Sequence, residues 1–376
     1  MAVLKMPTDL PPVEMQCDVG QVDVPEIVRL ISREWVSEAL AQTYPGVRVD
    51  AMAIQRITAG NSTKIWVELE YNAAGKALDL PPTMVVKAGF DRHDPLMLFT
   101  YQAEMQAYRE VLPRFPLTSP VCHYAGEGPD GLGAAIIMED LCPRTIRFCH
   151  ASAPLSRDEA AAFLGAMAKR HAQSWDHPSL TDGSWDWPER SRQTLASLAD
   201  YFAMLQSREQ WDHYIALPRC QAISNRFHDH DRFMAAMARL AERNAALPRI
   251  VMIGDTHMGN LYIEEDGTPG FLDFLARVSC WADEVSYFIG AALDMQDRRE
   301  WERGLLQHYL DALAANGVTP PSFDEAWVIY GDNLLTGLFV WMTNGEHFQT
   351  EAVNTANAAR LAAAVIDHGA LERLSA

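Results

Sequence analysis

The segment Ile253-Gly-Asp-Thr-His-Met-Gly-Asn260 sets Asp255 and Asn260 five residues apart, with a glycine beside each. A carboxylate in such a loop can hold an acceptor hydroxyl and take its proton. An amide oxygen suits a hard cation beside phosphate, because it adds a ligand without adding repulsion. This is the spacing that phosphoryl transfer uses, with the aspartate aiming the acceptor and the asparagine on magnesium. Asp273 ends the apolar run Gly270-Phe-Leu-Asp273, 18 residues after Asp255, and is placed to supply the second magnesium carboxylate. That interval has room for one short hairpin. Carboxylates gathered on one cleft wall repel a triphosphate unless a cation lies between them.

The opposing charge belongs on another part of the chain. Lys87 ends the run Met84-Val-Val-Lys, the position of a lysine that grips the α- and β-phosphates. Glu104 follows on a segment that reads as helix and is the candidate to hold Lys87. Upstream, Ala59-Gly-Asn-Ser-Thr63 is a small polar loop before a strand. Backbone N–H groups near Gly60, and the Ser62 and Thr63 hydroxyls, are candidates to cover phosphates.

The elements that must position these groups follow from periodicity. Pro25 to Thr43 reads as an amphipathic helix opened by proline. Ile65 to Tyr71 alternates at period two, as a half-buried strand does. Asn72 to Gly75 reads as a turn, Met84 to Lys87 as a strand, and Leu96 to Leu112 as a helix closed by Pro113. Val121–Tyr124 and Ala134–Met138 are short strand candidates around a glycine-rich turn. Beyond Leu141 the character is helical. Ser156 and Glu159 have capping-box spacing, and further helices are expected over 191–216, 224–245, 283–295, 298–315, 323–343 and 350–373. Three short apolar runs, 249–253, 260–263 and 270–274, interrupt them. The chain therefore divides into an arm and helix (1–46), a mainly β lobe with one helix (47–140) and a helical lobe (141–376).

Composition narrows the partners. With 31 Lys and Arg against 50 Asp and Glu, the net charge of -19 argues against a broad grip on nucleic acid or an anionic membrane surface. A single phosphate pocket survives, since a few local cations reverse the field. The six cysteines include no CxxC pair, and free thiols fit a reducing cytosol. No apolar stretch approaches the roughly 20 residues of a membrane span. The expectation is a cytoplasmic protein with no obligate protein partner.

Residues 254–293, GDTHMGNLYIEEDGTPGFLDFLARVSCWADEVSYFIGAAL, resemble the catalytic loop, metal-binding aspartate and following helix of the aminoglycoside phosphotransferase-like enzymes. Within that group they are similar to the ecdysteroid-kinase-like and choline-kinase-like branch. Further matches occur in the family's order: MVVKA with Lys87, residues 103–125 with Glu104, AAIIMEDL at 134–141, and the long helix at 163–180. The resemblance implies a protein-kinase-like bilobed α+β fold. It implies an interlobe hinge where backbone near Met138, Glu139 and Leu141 meets adenine. It implies ATP and Mg2+ as cofactors and a small-molecule alcohol as acceptor. The chain departs from the family at Ile253, where a histidine usually stands. Either Asp283 or Glu284 takes the place of the aspartate that opens the next helix.

The expected enzyme moves the γ-phosphoryl group of ATP to a hydroxyl. Asp255 orients the acceptor, Asn260 and Asp273 hold magnesium, Lys87 grips phosphate and Glu104 fixes Lys87. Two rival readings fit parts of the pattern. One is a nucleotide-binding pseudokinase, and the other is a metal-dependent hydrolase using Asp255, His257 and Asp273. His257 is expected to brace its own loop, His171 and Trp175 to lie in the core, and Arg277 and Trp281 are weaker candidates for the acceptor pocket. Trp185, Trp187, Trp211, Phe227, Trp341 and Phe348 supply aromatic material for a large, partly apolar acceptor such as a sterol-like or aromatic alcohol.

Overall fold

The computed structural model describes residues 30–58, 62–89, 98–129, 133–345 and 348–376. The expected arm, the Pro25 helix start and Gly60 lie outside them. Helix α1 (Arg33–Thr43) starts where the Ser32 hydroxyl accepts from Trp35 N, and it buries Val36, Ala39 and Leu40. Strands β1 (Val49–Thr58) and β2 (Thr63–Tyr71), a short helix α2 (Ala73–Ala77), and strand β3 (Thr83–Ala88) follow. Helix α3 (Leu98–Gln106) runs on through a π-turn, Ala107–Val111, to β4 (Cys122–Glu127) and β5 (Ala134–Glu139). The five strands form one antiparallel sheet in the order β1-β2-β3-β5-β4. The turn expected at Asn72 is instead the first turn of α2, because the Asn72 side chain accepts from Gly75 N and caps it.

The pleat sends alternate residues to opposite faces. Ile65, Val67 and Leu69 join Met84 and Val86 in a core under α1. Lys64 and Trp66 share the other face with their register partners Lys87 and Val85. Trp66 and Val85 pack into the core that continues through the helical lobe. The two faces of one strand pair thus serve two purposes: one holds the small lobe together, the other lines the cleft.

In the second lobe β6 (Ile146–Phe148) leads to α4 (Arg157–Ser174), whose start is the expected capping box. The single helix expected over 191–216 is three: α5 (Trp187–Thr194), α6 (Ala196–Leu205) and α7 (Arg208–Ile215). Ser207 caps α7 by accepting from Gln210 N, and so ends the preceding helix. Next come α8 (Pro218–Gln221), a 3-10 turn at Asn225–Phe227, and α9 (His230–Ala245) capped by Asp229. Strands β7 (Arg249–Met252), β8 (Leu261–Glu264), β9 (Pro269–Phe271) and β10 (Arg277–Cys280) interrupt the helices. β7 pairs with β10, a strand the periodicity did not mark, and β8 lies between β6 and β9. The chain ends with α10 (Trp281–Ala292), α11 (Met295–Ala315), α12 (Phe323–Thr343), α13 (Glu351–His368) and α14 (Ala370–Ser375). Gly369, at φ +59°, breaks what periodicity read as one final helix. No helix of the described residues is long and apolar enough to cross a membrane.

Candidate active site

The loop between β7 and β8 carries Asp255 and Asn260. Its entry needs glycine: Gly254 has φ +111°, and a Cβ there would lie 2.0 Å from the Leu275 carbonyl oxygen. Asp255 is held from several sides. Its Oδ1 accepts from the Tyr287 hydroxyl at 3.1 Å, and its Oδ2 accepts from Asn260 Nδ2 at 3.2 Å. Asn260 Nδ2 also donates to the Asp255 carbonyl at 2.9 Å, which turns the amide oxygen away from that loop. His257 is a brace: its Nδ1 accepts from Gly259 N at 3.0 Å, and its ring meets Trp341 edge-on.

The loop is also gripped from behind. Glu284 Oε1 accepts from both Ile253 N and Gly254 N, at 2.8 and 3.0 Å. Its other oxygen lies 2.7 Å from His171 Nε2, and His171 Nδ1 meets the Tyr309 hydroxyl. Glu284 is fully buried. Burial alone raises a carboxyl pKa, but here the His171 hydrogen bond, the charges of His171 and Arg170, and the Gly254 amide hold it below the ordinary value. Arg170 is equally buried and makes no hydrogen bond to the described residues. Burial pulls its pKa down to about 10, with Glu284 the charge that opposes the fall. Glu284, not Asp283, therefore faces the loop. Asp283 turns to the Ser279 hydroxyl at 3.0 Å and to Arg277 at 3.5 Å. His171 lies in the core as expected, but within a polar chain that ends on the loop of Asp255.

Asp273 follows β9 with φ +52°, a left-handed conformation that is strained for a non-glycine residue and recurs at functional sites. Its Oδ1 takes the Lys87 amine at 2.6 Å, and the same amine reaches Glu104 at 2.7 Å. One ammonium thus joins β3, α3 and the loop after β9. Phe274 packs edge-on against Tyr108 in the π-turn, which ties that loop to the helix of Glu104. The Asp273 carboxyl lies well below the ordinary range: burial raises it, but Lys64 and Lys87 together outweigh that. Burial would discharge Lys87, yet Asp273 and Glu104 hold its pKa above the ordinary value.

The remaining predicted residues are less directed at the cleft. Ser62 and Thr63 are both buried. Thr63 pairs with Ala88 on the face opposite Lys64 and Lys87, so its side chain is turned from the cleft. Met138, next to last in β5, lies on the cleft side of the sheet core. Glu139 N is already bonded to the Val121 carbonyl, and the Glu139 carboxylate accepts from Val121 N and Arg144. Leu141 is buried and its carbonyl accepts from Arg144 N. Asp140, which sequence reasoning passed over, fixes this hinge by accepting from Trp66 Nε1 and Cys142 N through one oxygen.

Beside Asp255 opens a cavity of about 240 Å³. Asn260, Asp273 and Tyr287 border it near the loop, and Phe202, Leu205, Val340, Trp341 and Phe348 supply apolar wall. Of the aromatics expected there, Trp341 and Phe348 line it. Trp187, Trp211 and Phe227 are buried in the core, and Trp185 stacks on Trp187. Arg277 borders the cavity and donates to the Gly254 carbonyl. Trp281 does not; it is buried against Tyr309. Tyr287 and Lys64, like Asp140, border the candidate site without having been marked in the sequence, and Glu284 is the one of the expected pair that meets the loop. Glu284 was visible only as half of an undecided pair, and Tyr287 and Lys64 carried no motif. Among the described residues, no three His, Cys, Asp or Glu side chains are grouped to hold one metal ion.

The ecdysteroid kinase-like family model matches residues 62–317. No curated protein matches the chain in sequence. Solved structures with a similar fold include an ethanolamine kinase of Plasmodium vivax, 10% identical over 84% of this chain and 82% of that one, with a TM-score of 0.51. A choline kinase of Cryptosporidium parvum is 11% identical over 91% and 96%, at 0.49. A macrolide 2'-phosphotransferase of Brachybacterium faecium is 14% identical over 87% and 98%, at 0.45. The likeness is one of fold: a protein-kinase-like arrangement with an antiparallel small lobe and a helical large lobe.

Proposed function

The chain belongs to the ecdysteroid kinase-like family, and from that premise we propose that it transfers the γ-phosphoryl group of ATP to a hydroxyl of a small molecule. One observation carries the reading. The Lys87 ammonium bridges Glu104 and Asp273, the second of them 186 residues from Lys87, beside a loop where Asp255 and Asn260 face the same cavity. A core ion pair gives no reason to leave Asp273 partly exposed and backbone-strained, whereas a phosphate site does.

In the proposed reaction Lys87 holds the α- and β-phosphates, and Glu104 keeps its amine in place. The acceptor hydroxyl sits against Asp255, gives it a proton, and its oxygen bonds to the γ-phosphorus as the bridging P–O bond breaks and ADP leaves with the electron pair. Tyr287 and Asn260 position the Asp255 carboxylate for this. The donor set fits magnesium: Asn260 presents an amide oxygen, and Asp273 has an oxygen that Lys87 does not occupy. Magnesium is ordinarily held by one or two such ligands together with substrate phosphates. When bound, it would neutralise the charge between carboxylates and triphosphate.

The test is thermal stability with and without millimolar ATP and magnesium, for the wild type and Asp273→Asn. At about 100 times Kd, binding adds roughly 2.7 kcal/mol to the native state, a shift of several degrees. The expected result is a magnesium-dependent rise that Asp273→Asn abolishes. A well-folded wild type that responds to no nucleoside triphosphate overturns the reading, whereas nucleotide binding with no phosphoryl transfer to any acceptor favours the nucleotide-binding pseudokinase.

The cavity supports a reading of the acceptor class. Its apolar walls favour an alcohol with an apolar or aromatic body, and its volume falls just short of the roughly 300–1,000 Å³ of drug-sized sites. A compact alcohol therefore suits it better than a full sterol skeleton. In an acceptor screen, compact aromatic or alicyclic alcohols should react. Reaction with polyamine sugars alone would refute this class.

A further inference from the structure

Lys64, the second residue of β2, lies directly across from Lys87 as its register partner on the cleft face. Like charges directly opposite one another across antiparallel strands destabilise a sheet. The second lysine is about one-third exposed. Its ammonium lies 3.9 Å from Asp273 Oδ2, while Lys87 holds Oδ1 at 2.6 Å. A half-open pair at that distance contributes about 0–1 kcal/mol, too little to explain its place by stability. Lys87 is already engaged by two carboxylates. A polyphosphate entering this cleft of an acidic protein meets Asp255, Asp273 and Glu104, and it needs cationic charge that these carboxylates have not already matched.

We propose that Lys64 is a second phosphate-binding cation of the nucleotide site. It leaves Asp273 when nucleotide enters and contacts the outer phosphates, the part of the nucleotide nearest Asp273. This rests on the phosphotransferase reading above. The shift from Asp273 to phosphate needs only rotation of a flexible, partly solvated side chain. It also frees Asp273 Oδ2 at the moment a metal ion would need it.

The experiment is calorimetric titration of ATP, ADP and AMP into wild type, Lys64→Gln and Lys64→Arg, with magnesium and in chelator. Lys64→Gln should bind ATP and ADP about ten-fold or more weakly, bind AMP as the wild type does, and melt without ligand within about a degree of it. Lys64→Arg should recover most of the loss. If Lys64→Gln binds ATP and ADP as well as the wild type, or more tightly, Lys64 is only a counter-ion for Asp273 and the proposal fails. Equal weakening of AMP would place Lys64 at the nucleoside and also refute it. A wild type that binds none of the three overturns the phosphotransferase reading itself, which the variants alone cannot do.

Discussion

Asp255→Asn is expected to lower turnover by about 10²–10⁴-fold, the usual contribution of a positioned proton acceptor, while nucleotide affinity stays near that of the wild type. The reasoning is geometric. Asn has the same shape, so its amide oxygen can still accept from the Tyr287 hydroxyl. The lost property is the capacity to take the acceptor's proton. Lys87 donates to both Glu104 and Asp273 and not to Asp255, so the nucleotide side should be undisturbed. Single-turnover rates on a verified acceptor, beside nucleotide titration, check both halves. Near-native turnover would show that Asp255 is not the proton acceptor. A parallel loss of nucleotide binding would show that its role is structural.

Glu284→Gln should be the most damaging conservative change to stability, about 3–5 kcal/mol at pH 7. That is the cost of leaving the partner of a buried charge uncompensated. The partner is Arg170, buried and without hydrogen bonds to the described residues, for which Glu284 is the opposing charge. The pH dependence has a definite sign. The Glu284 carboxyl is held below its ordinary value of 4.5 in the folded protein, so its stabilisation is full above that value and is lost as pH falls through the folded-state pKa. The difference between wild type and variant should therefore be large at neutral pH and shrink in acid, as read from denaturant midpoints across pH. A variant as stable as the wild type at pH 7 would mean that solvent or another group compensates Arg170, and that the clamp is dispensable.

The same carboxylate bears on the residue that departs most visibly from the family pattern. Ile253 stands where a histidine is usual, and that loss is the only support for a pseudokinase. In this chain Ile253 is buried, and its N–H is fixed by Glu284, which His171 of α4 fixes in turn. The loop is braced through its backbone rather than through a side chain at 253. The loop is therefore held with Asp255 and Asn260 in contact without a side chain at 253.

Asp255, Asn260, Asp273, Lys87 and Glu104 were legible in the amino-acid order because their chemistry depends on local spacing and on strand or helix ends. The π-turn, the hinge bonds of Asp140 and the split of 191–216 into three helices were not, since each arises from a cap or a distant partner. Sequence by itself determined the kinds of groups available, the strand that carries Lys87 and the division between a β-rich and a helical lobe. Only the tertiary structure decided between Asp283 and Glu284. Neighbouring helical positions lie about 100° apart, and the packing of α10 aims one at the loop and the other at β10. It likewise sent Trp341 to the cavity and Trp211 to the core, and it set Lys64 opposite Lys87 through a strand register that composition does not encode. The physical reason is the same each time: the direction of a side chain is fixed by what its element packs against, and that partner is far away in the chain.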